Sequence, residues 1–451
     1  MSAPTSDITS DTPSSRYGWY AVAVLILAYT FSYVDRTILT LMVKPIRASL
    51  HITDLQISLL HGLAFAIFYT LLGIPIARFA DRGNRTRIIM AGIAVWSVMT
   101  ALCGFARSFG QLFLARIGVG VGEAALSPAA YSMLSDYFRG NALTRALSVY
   151  TASIYIGAGL ALMIGGAVIA SVPAMDLPGL GHMEPWQVVF LCVGAPGVLI
   201  AFLMLTVREP KRTGLSLLSA PGQPPSFRGV LAYVGARRGA YGFLIAGYAL
   251  HGLLWNGATA WIPTFFIRHF GWTQAQTGLR FGMVLLIFGT LGVIFGGGLS
   301  AWLKSRGRSD ANPRVGFISA LLVLPTGVMA TQSGDATTAS VLFAMFAFAG
   351  SMPYGAAATA FQEITPNQMR AQVTAIYFFV LNLCGIGLGP TVVATFTDKV
   401  FRADAAVGNS LAVVMCIAAP LSALLLWLSL QPYRRVLDQY QSGLRLASEA
   451  A

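Results

Sequence analysis

Apolar residues along the chain form twelve long runs, separated by short gaps that carry most of the charged residues. Each run is apolar over roughly 20 residues, the length that an α-helix needs to cross the hydrocarbon core of a bilayer. No run alternates with the period of two residues that a membrane-spanning barrel strand requires. The pattern therefore predicts twelve transmembrane helices, over residues 17–40, 55–78, 88–106, 110–134, 146–171, 187–206, 240–267, 277–302, 315–333, 338–361, 371–397 and 408–430.

The longest internal gap, residues 207–238, separates the first six predicted helices from the last six. The two sets echo each other, because a basic gap follows both the second and the eighth helix and spaced glycines occur in both the fifth and the eleventh. Two six-helix halves around a central site are typical of carriers that work by alternating access. We therefore predict an all-α membrane protein with two pseudo-symmetric six-helix halves, divided into a disordered cytoplasmic tail at 1–16, an N-terminal half at 17–206, a cytoplasmic linker at 207–238, a C-terminal half at 239–430 and a cytoplasmic tail at 431–451.

The composition favours a membrane location, and the basic residues predict the orientation. The 451 residues are 56% hydrophobic and only 10% charged, with a mean hydropathy of +0.68, whereas soluble domains are roughly 25% charged. Most Lys and Arg residues lie in the gaps on the side of the two termini, so the positive-inside rule predicts cytoplasmic termini. The net charge of +13 is spread over these gaps rather than gathered on one face, so we expect no nucleic-acid partner.

Charged residues interrupt two apolar runs of the N-terminal half. Arg116 and Glu123 are seven residues apart in helix 4, so they share one helix face about 10 Å apart along the axis. Asp35 and Arg36 lie within helix 1. Ionisable side chains inside a bilayer are costly and usually face a bundle interior or a water-filled cavity on a transport path. We therefore predict a functional cluster, with proton coupling at Asp35 and Glu123 and substrate binding at Arg36, Arg116 and Tyr33.

This cluster predicts a mechanism in which a carboxyl group changes protonation during transport. Burial and a neighbouring arginine shift the pKa of a carboxyl group in opposite directions, so a balanced group responds to changes in its surroundings. Asp35 pairs with Arg116 or Arg36 in one state, and protonation of Glu123 or Asp35 then frees an arginine for an anionic head group. Arginine suits phosphate or carboxylate because its planar guanidinium makes bidentate contacts. The alternative is a static ion-pair network that holds helices 1 and 4 together.

The C-terminal half offers polar and aromatic residues but no acid near the middle of a predicted helix. Its candidates for substrate binding are in helices 7 and 11, and helix packing is the alternative for each: His251, Trp255, Asn256, Tyr377 and Asn382. His61 in helix 2 is interpreted as a packing residue.

Charged residues at the cytoplasmic ends of the helices are predicted to serve gating rather than substrate binding, because they lie in or beside loops. In the N-terminal half these residues are Asp81, Arg82, Arg85, Asp136 and Arg139. In the C-terminal half they are Glu363 and Arg370, for which solvated helix ends are the alternative.

Other functional classes are disfavoured by the motifs. The sequence has no G-x-S-x-G, no H-x-x-x-H and no Walker motif, so we expect neither a lipid-modifying enzyme nor an ATP-driven pump. The two-half layout without a filter-like loop argues against a channel. We therefore expect no cofactor and no metal, with a proton gradient as the energy source.

Several short motifs resemble the major facilitator superfamily over essentially the whole chain. The loop after helix 2 keeps Asp81, Arg82 and Arg85 of that family's signature, but has Ala77 and Asn84 at its two glycine positions. Its helix-4 signature is intact as Arg116, Gly120 and Gly122, whereas only three glycines of its helix-5 antiporter signature are present, at positions 157, 165 and 166. Antiport is therefore not inferred.

Three segments are similar to the spinster-like branch of that superfamily: Tyr33-Val-Asp35-Arg36, Arg116-Ile-Gly-Val-Gly-Val-Gly-Glu123-Ala and Gln362-Glu-Ile-Thr-Pro366-Asn-Gln-Met-Arg370. The resemblance implies proton-coupled transport of an amphiphilic anionic lipid, such as a lysophospholipid or sphingosine-1-phosphate. The alternative is a proton-linked carrier of a small organic anion or a drug-like compound. The expected partners are membrane lipids and the substrate, and the expected form is a monomer in a bacterial cytoplasmic membrane.

Overall fold

The computed structural model describes residues 15–138, 140–173, 175–177, 181–210, 226–366 and 369–449. The N-terminal half contains nine helical segments: α1 Ser15–Leu41, α2 Val43–Leu50, α3 Asp54–Ser58, α4 Ala64–Arg82, α5 Arg85–Cys103, α6 Phe109–Glu123, α7 Leu126–Tyr137, α8 Gly140–Ser171 and α9 Pro185–Met204. A π-helical turn, Leu59–Leu63, joins α3 to α4. A small antiparallel hairpin of β1 (Met175–Leu177) and β2 (Gly181–Met183) lies between α8 and α9.

The C-terminal half contains ten further helical segments: α10 Phe227–Ala236, α11 Arg238–Phe270, α12 Gln274–Val284, α13 Thr290–Ser305, α14 Ala311–Thr331, α15 Ala336–Ser351, α16 Pro353–Glu363, α17 Arg370–Leu381, α18 Gly389–Thr395 and α19 Val407–Glu449. Three π-helical turns occur within its spans, at Leu285–Gly289, Asn382–Leu388 and Phe396–Phe401, and a 3-10 turn, Asp404–Ala406, precedes α19. We call the face where α1 begins and α19 ends the terminal face, and the other face the opposite face.

In the described part of the chain, eleven helical segments are long and apolar enough to cross a membrane. They correspond to every predicted helix except the seventh. The seventh is present as α11, a helix of 33 residues, but polar and aromatic side chains such as His251 and Asn256 lower its hydropathy. The count of twelve crossings therefore stays a prediction.

The structure adds helical detail to the predicted tails and linker, whose boundaries stay predictions. Helix α19 continues without interruption to Glu449, so residues 431–449 of the predicted C-terminal tail are helical. The predicted linker contains the helix α10, and its residues 211–225 lie outside the described residues. Most of the predicted N-terminal tail, residues 1–14, also lies outside them.

Prolines divide two of the predicted spans into paired helices. Helix 4 ends as α6 at Glu123 and resumes as α7 at Leu126. Pro128 explains the break, because proline has no backbone N–H and its ring clashes with the carbonyl four residues earlier, here that of Ala124. Pro353 is the first residue of α16, at its junction with α15, which ends at Ser351. The break in helix 4 puts Glu123 at the last turn of α6, in the interior of the span.

The two halves meet through close backbone contacts on the side of the opposite face. Helix α8 packs against α12, and the segment around the π turn 59–63 packs against the π turn 382–388. A Cβ on Gly282 would lie 2.6 Å from the Gly159 carbonyl oxygen, and a Cβ on Gly62 would lie 2.6 Å from that of Gly387. No side chain fits at such a distance, so closure of this face depends on glycine at these positions.

Replacing Gly282 with leucine is expected to hold the halves apart at the opposite face. Overpacking costs about 1–3 kcal/mol, so the exposure of the central cavity to that face should rise about tenfold. Labelling of a cysteine introduced at Thr40, in a background without the native cysteines, by an impermeant maleimide measures this exposure. Gly297→Leu is the control, because nothing lies within 4 Å of its Cβ position. Equal labelling in the two variants would contradict the closure.

Candidate functional site

A cavity of about 140 Å³ lies between the two halves. Its N-terminal wall comes from α1, α8 and the span that contains the π turn 59–63, and its C-terminal wall from α11, the π turns 285–289 and 382–388, and α16. Among the residues predicted for substrate binding, Tyr33, Arg36, Trp255 and Asn256 line this cavity.

The predicted charged cluster forms two buried ion pairs between helix 1 and helix 4. Asp35 and Arg116 form the first pair, with 3.2 Å between Oδ1 and Nη1. Arg36 and Glu123 form the second. Asp35, Arg116 and Glu123 are each almost completely buried, whereas the Arg36 side chain is 17% exposed. The first pair is thus enclosed in the bundle, and the second reaches the cavity through Arg36.

The Asp35–Arg116 pair is further tied to the surrounding helices. The Thr100 hydroxyl of α5 donates a hydrogen bond to Asp35 Oδ2, and Arg116 Nη1 also donates to the Asp35 carbonyl oxygen at 3.4 Å. The Nε of Arg116 is buried without a hydrogen-bond partner among the described residues. Because removal of one member of a buried pair leaves an uncompensated charge, it costs about 3–5 kcal/mol. The pair therefore holds α1, α5 and α6 together.

The Arg36–Glu123 pair is built differently, since aromatic rings surround its cation. The Arg36 guanidinium carbon lies 4.3 Å from the ring centre of Phe65 and 5.0 Å from that of Tyr69, within cation–π range. Glu123 Oε2 accepts a hydrogen bond from the Ser32 hydroxyl at 2.6 Å, while its Oε1 has no partner in the described part of the chain. Glu123 thus keeps a free acceptor position beside a cation that contacts the cavity.

The C-terminal wall is aromatic, and the described residues that line it include no carboxylate and no arginine. A second cavity of about 70 Å³ adjoins the first and shares the lining residues Trp255, Asn256, Tyr354 and Ile386 with it. The predicted residues His251, Tyr377 and Asn382 line this second cavity. His251 Nε2 is 2.9 Å from the Gly350 carbonyl oxygen, and its Nδ1 is buried without a partner among the described residues.

Several lining residues were missed or underrated in the sequence. His61, interpreted as a packing residue, lines the central cavity, so that interpretation is incomplete. Thr37 and Thr40 lie one and nearly two turns after Tyr33 on α1 and also line it, and this helical spacing was the signal that could have found them. Tyr155 of α8 lies between Trp255 and Tyr354, with ring centres 6.3 and 5.5 Å away, and only the fold brings these rings together.

Part of the predicted gating set lies at the terminal face, where the ion pairs found join residues of the same half. Arg85 lies 2.5 Å from Asp136 and 2.6 Å from Glu209, an acid at the end of helix 6 that the sequence did not single out. The side chains of Asp81 and Arg82 and the whole of Arg139 lie outside the described residues.

The C-terminal members of that set do not pair with each other. Glu363 pairs with Lys304 and accepts hydrogen bonds from Asn312 at 2.8 Å and Tyr433 at 2.5 Å. Arg370 Nε donates to the Thr365 carbonyl oxygen at 3.0 Å. These contacts brace the C-terminal half internally.

Ion pairs between the halves occur at the opposite face, where no gating residue was predicted. Arg268, at the end of α11, makes a bidentate contact with Asp54 of α3 at 2.6 and 2.7 Å. Arg47 of α2 lies 2.6 Å from Asp404 and 3.0 Å from Asp54. The backbone N–H of Leu55 also donates to Asp398 at 2.7 Å. We call Arg47, Asp54, Arg268 and Asp404 the opposite-face lock.

Comparisons with known proteins agree with this architecture. Residues 25–390 match the protein family described as "Major Facilitator Superfamily". An MFS-type efflux pump of Mycolicibacterium smegmatis is 29% identical over 445 residues, which cover 96% of this chain and 98% of that protein. Protein spinster homolog 1 of Homo sapiens is 26% identical over 407 residues, covering 84% of this chain and 73% of that protein.

A solved structure extends the comparison to the fold. The crystal structure of a bacterial homologue of the human lysosomal transporter spinster, inward-facing and unoccupied, superimposes with a TM-score of 0.77. It is 26% identical in sequence, and the match covers 95% of this chain and 99% of that one. The predicted family resemblance, its spinster-like character and the all-α membrane fold are therefore confirmed.

Proposed function

This chain belongs to the major facilitator superfamily and is a multi-pass integral membrane transporter, and from that premise we propose that it moves an amphiphilic anionic lipid, such as a lysophospholipid or sphingosine-1-phosphate, by proton-coupled alternating access. We further propose that it works as a monomer in a bacterial cytoplasmic membrane, with the proton gradient as its only energy source.

The substrate proposal rests on the different chemistry of the two walls of the central cavity. On the N-terminal wall, Arg36 offers a permanently charged guanidinium, which binds phosphate or carboxylate in a bidentate manner. The adjoining C-terminal space is bounded by the rings of Trp255, Tyr354 and Tyr377, which favour an apolar chain. A molecule with an anionic head and an apolar tail satisfies both walls at once.

The pairing of Arg36 with Glu123 supports proton coupling. While Glu123 is ionised, it occupies the guanidinium that the substrate needs. A proton on Glu123 removes the competing charge, so Arg36 becomes available to the anionic head. Proton binding and substrate binding thus favour each other, which is the linkage that a coupled carrier requires.

The opposite-face lock supports alternating access by exchange of partners. In the closed state, Arg268 pairs with Asp54 and Arg47 pairs with Asp404, both between the halves. Arg47 is already 3.0 Å from Asp54 in its own half, and Arg268 Nη1 is 3.2 Å from the Asp404 carbonyl oxygen in the other. On separation each half retains one cation and one anion, so opening leaves no charge without a partner.

Arg268→Gln is expected to weaken the closed opposite face. The lost bidentate contact is charge-assisted and worth about 1.5–3 kcal/mol, so the opposite-face-open population should rise about tenfold or more. The distance between spin labels on α2 and on the loop before α19 measures that population. Lys44→Gln, which removes an exposed charge of α2 on the same face, is the control. An unchanged distance distribution in Arg268→Gln would show that the opposite-face lock does not stabilise the closed state.

The substrate class is tested by flux into proteoliposomes, with and without a pH gradient. The probes are a lysophospholipid, sphingosine-1-phosphate and glycerol 3-phosphate, which has a similar head and no tail. We expect gradient-dependent flux of at least one lipid and little flux of glycerol 3-phosphate. Flux of glycerol 3-phosphate alone, or of none of the three by folded protein, would refute the lipid proposal.

A carrier of a small organic anion or drug-like compound is the second candidate. The similarity to an MFS-type efflux pump over nearly the whole chain favours it. The same flux assay with fluorescent organic anions and cations separates this candidate from the first.

A further inference from the structure

A third cavity lies on the terminal face of the C-terminal half, apart from the two central cavities. It measures about 510 Å³ and is bordered by the α13–α14 loop, the end of α16, the start of α17 and α19. Its charged lining residues are Lys304, Arg308, Arg370 and Glu363. Three cations and one carboxylate therefore face the same space.

The acids near this cavity are engaged within the protein. Glu363 pairs with Lys304 and accepts hydrogen bonds from Asn312 and Tyr433. The buried carboxylate of Asp310, beside the α13–α14 loop, pairs with Arg314 at 2.7 Å and Arg434 at 3.4 Å. Both carboxylates are thus engaged in ion pairs with residues other than Arg308 and Arg370.

The positive charges of Arg308 and Arg370 are available to a bound anion. In the described part of the chain, neither guanidinium has a carboxylate within ion-pair distance. The backbone contact from Arg370 Nε to Thr365 fixes this side chain, which is half-buried, while Arg308 is exposed. An anchored guanidinium loses less conformational freedom when it binds an anion than a free one does.

We propose that this cavity binds a phosphate-bearing anion, either the headgroup of an acidic phospholipid or a free phosphate compound. The two arginines provide bidentate donors, and the hydroxyls of Ser309 and Tyr440 add neutral ones. The cavity lies on the face that the positive-inside rule predicts to be cytoplasmic. On that side of a membrane, basic pockets between helices bind the head groups of anionic lipids. Leu437 in its lining offers an apolar contact to the glycerol or acyl part of a lipid.

A bound anion would connect three separate elements of the C-terminal half. Arg308 belongs to the α13–α14 loop, Arg370 to the first turn of α17 and Tyr440 to α19. Since a ligand that binds only the folded arrangement stabilises it by mass action, the anion should raise the thermal stability of this half. The site is separate from the central cavity, and the proposal does not depend on the identity of the transported substrate.

The proposal is tested by binding of three probes to the purified full-length protein in a neutral detergent. The probes are inorganic phosphate, dioctanoyl phosphatidylglycerol and dioctanoylglycerol, which has no phosphate. Calorimetry and the shift of the unfolding temperature are the readouts. The wild type should bind at least one phosphate-bearing probe and not dioctanoylglycerol.

The variant Arg308→Gln/Arg370→Gln should bind that probe at least tenfold more weakly, a change of about 1.4 kcal/mol. Arg306→Gln is the matched control, because Arg306 is an exposed arginine of the same loop that stacks 5.2 Å from the Trp302 ring and does not line the cavity. If the double variant unfolds, the exposed Arg308→Gln alone should still weaken binding about fivefold, as expected for the loss of one hydrogen bond of a solvent-exposed side chain.

Binding of phosphate as well as the lipid would identify a general anion site, and binding of the lipid alone would identify a headgroup site. Equal affinity of the wild type and the arginine variants for every probe overturns the proposal, as does equal binding of dioctanoylglycerol. Because no readout involves transport, failure here leaves the flux assay, and the proposed function, to be judged separately.

Discussion

Glu123→Gln is expected to abolish accumulation of the substrate against its gradient while downhill flux continues. Glutamine has nearly the same shape and still accepts the hydrogen bond from Ser32, but it does not take up or release a proton. One pH unit stores about 1.4 kcal/mol per proton, which supports about tenfold accumulation if one proton accompanies each substrate. The wild type should therefore approach tenfold accumulation, and the variant should stop at the external concentration.

The measurement is uptake into proteoliposomes with an imposed gradient of one pH unit, collapsed by an ionophore in a parallel sample. Asp176→Asn is the control, since this exposed acid of the β-hairpin contacts only His182 among the described ion pairs. Gradient-driven accumulation that survives in Glu123→Gln would remove Glu123 from the coupling step. Accumulation lost in both variants would point to damage unrelated to proton coupling.

Arg36→Gln is expected to weaken substrate binding more than any other single change in the cavity. A hydrogen bond to a charged group is worth about 1.5–3 kcal/mol, so the KM for an anionic substrate should rise about 10- to 150-fold. Arg36→Lys keeps the charge but loses the planar guanidinium and its stacking on Phe65. Its KM should therefore lie between that of the wild type and that of Arg36→Gln. Initial rates over a range of substrate concentrations separate an effect on KM from one on kcat.

Arg280→Gln is the matched control for this prediction. Arg280 also stacks on an aromatic ring, 4.5 Å from the centre of Trp272, but it does not line either central cavity. A KM that stays the same in Arg36→Gln, together with a lower unfolding temperature, would limit Arg36 to a structural role. The opposite-face lock should be unaffected, because it lies elsewhere in the fold.

The charged residues of the candidate site were visible in the sequence because charge inside an apolar run is physically costly. Asp35 and Glu123 stand out for this reason, and so do Arg36 and Arg116. The partners were left open, since the sequence allowed Asp35 to pair with either arginine. The fold pairs Asp35 with Arg116 and Glu123 with Arg36, and so separates an enclosed pair from one at the cavity wall.

The opposite-face lock was not predicted, although its charged residues are as easily seen in the sequence as those of the two buried ion pairs. The four residues of the lock all lie at helix ends. A charged side chain at a helix end usually contacts water and does not by itself indicate a functional site. The ion pairs between the halves join residues more than 200 positions apart in the chain, as the separation of 214 residues between Arg268 and Asp54 illustrates. Only the closure of one half on the other brings these side chains within 3 Å.

The sequence by itself determined the spans, the pseudo-symmetry of the halves and the charged residues of the N-terminal half, because the bilayer imposes length and polarity on each helix separately. The tertiary structure decided the rest: the breaks at π turns and prolines, the place of His61 in the cavity wall, and the face on which the halves are closed. Helical periodicity fixes which residues share a face of one helix. It does not fix which faces of different helices meet, and that depends on the packing of glycine-lined contacts such as Gly282 against Gly159.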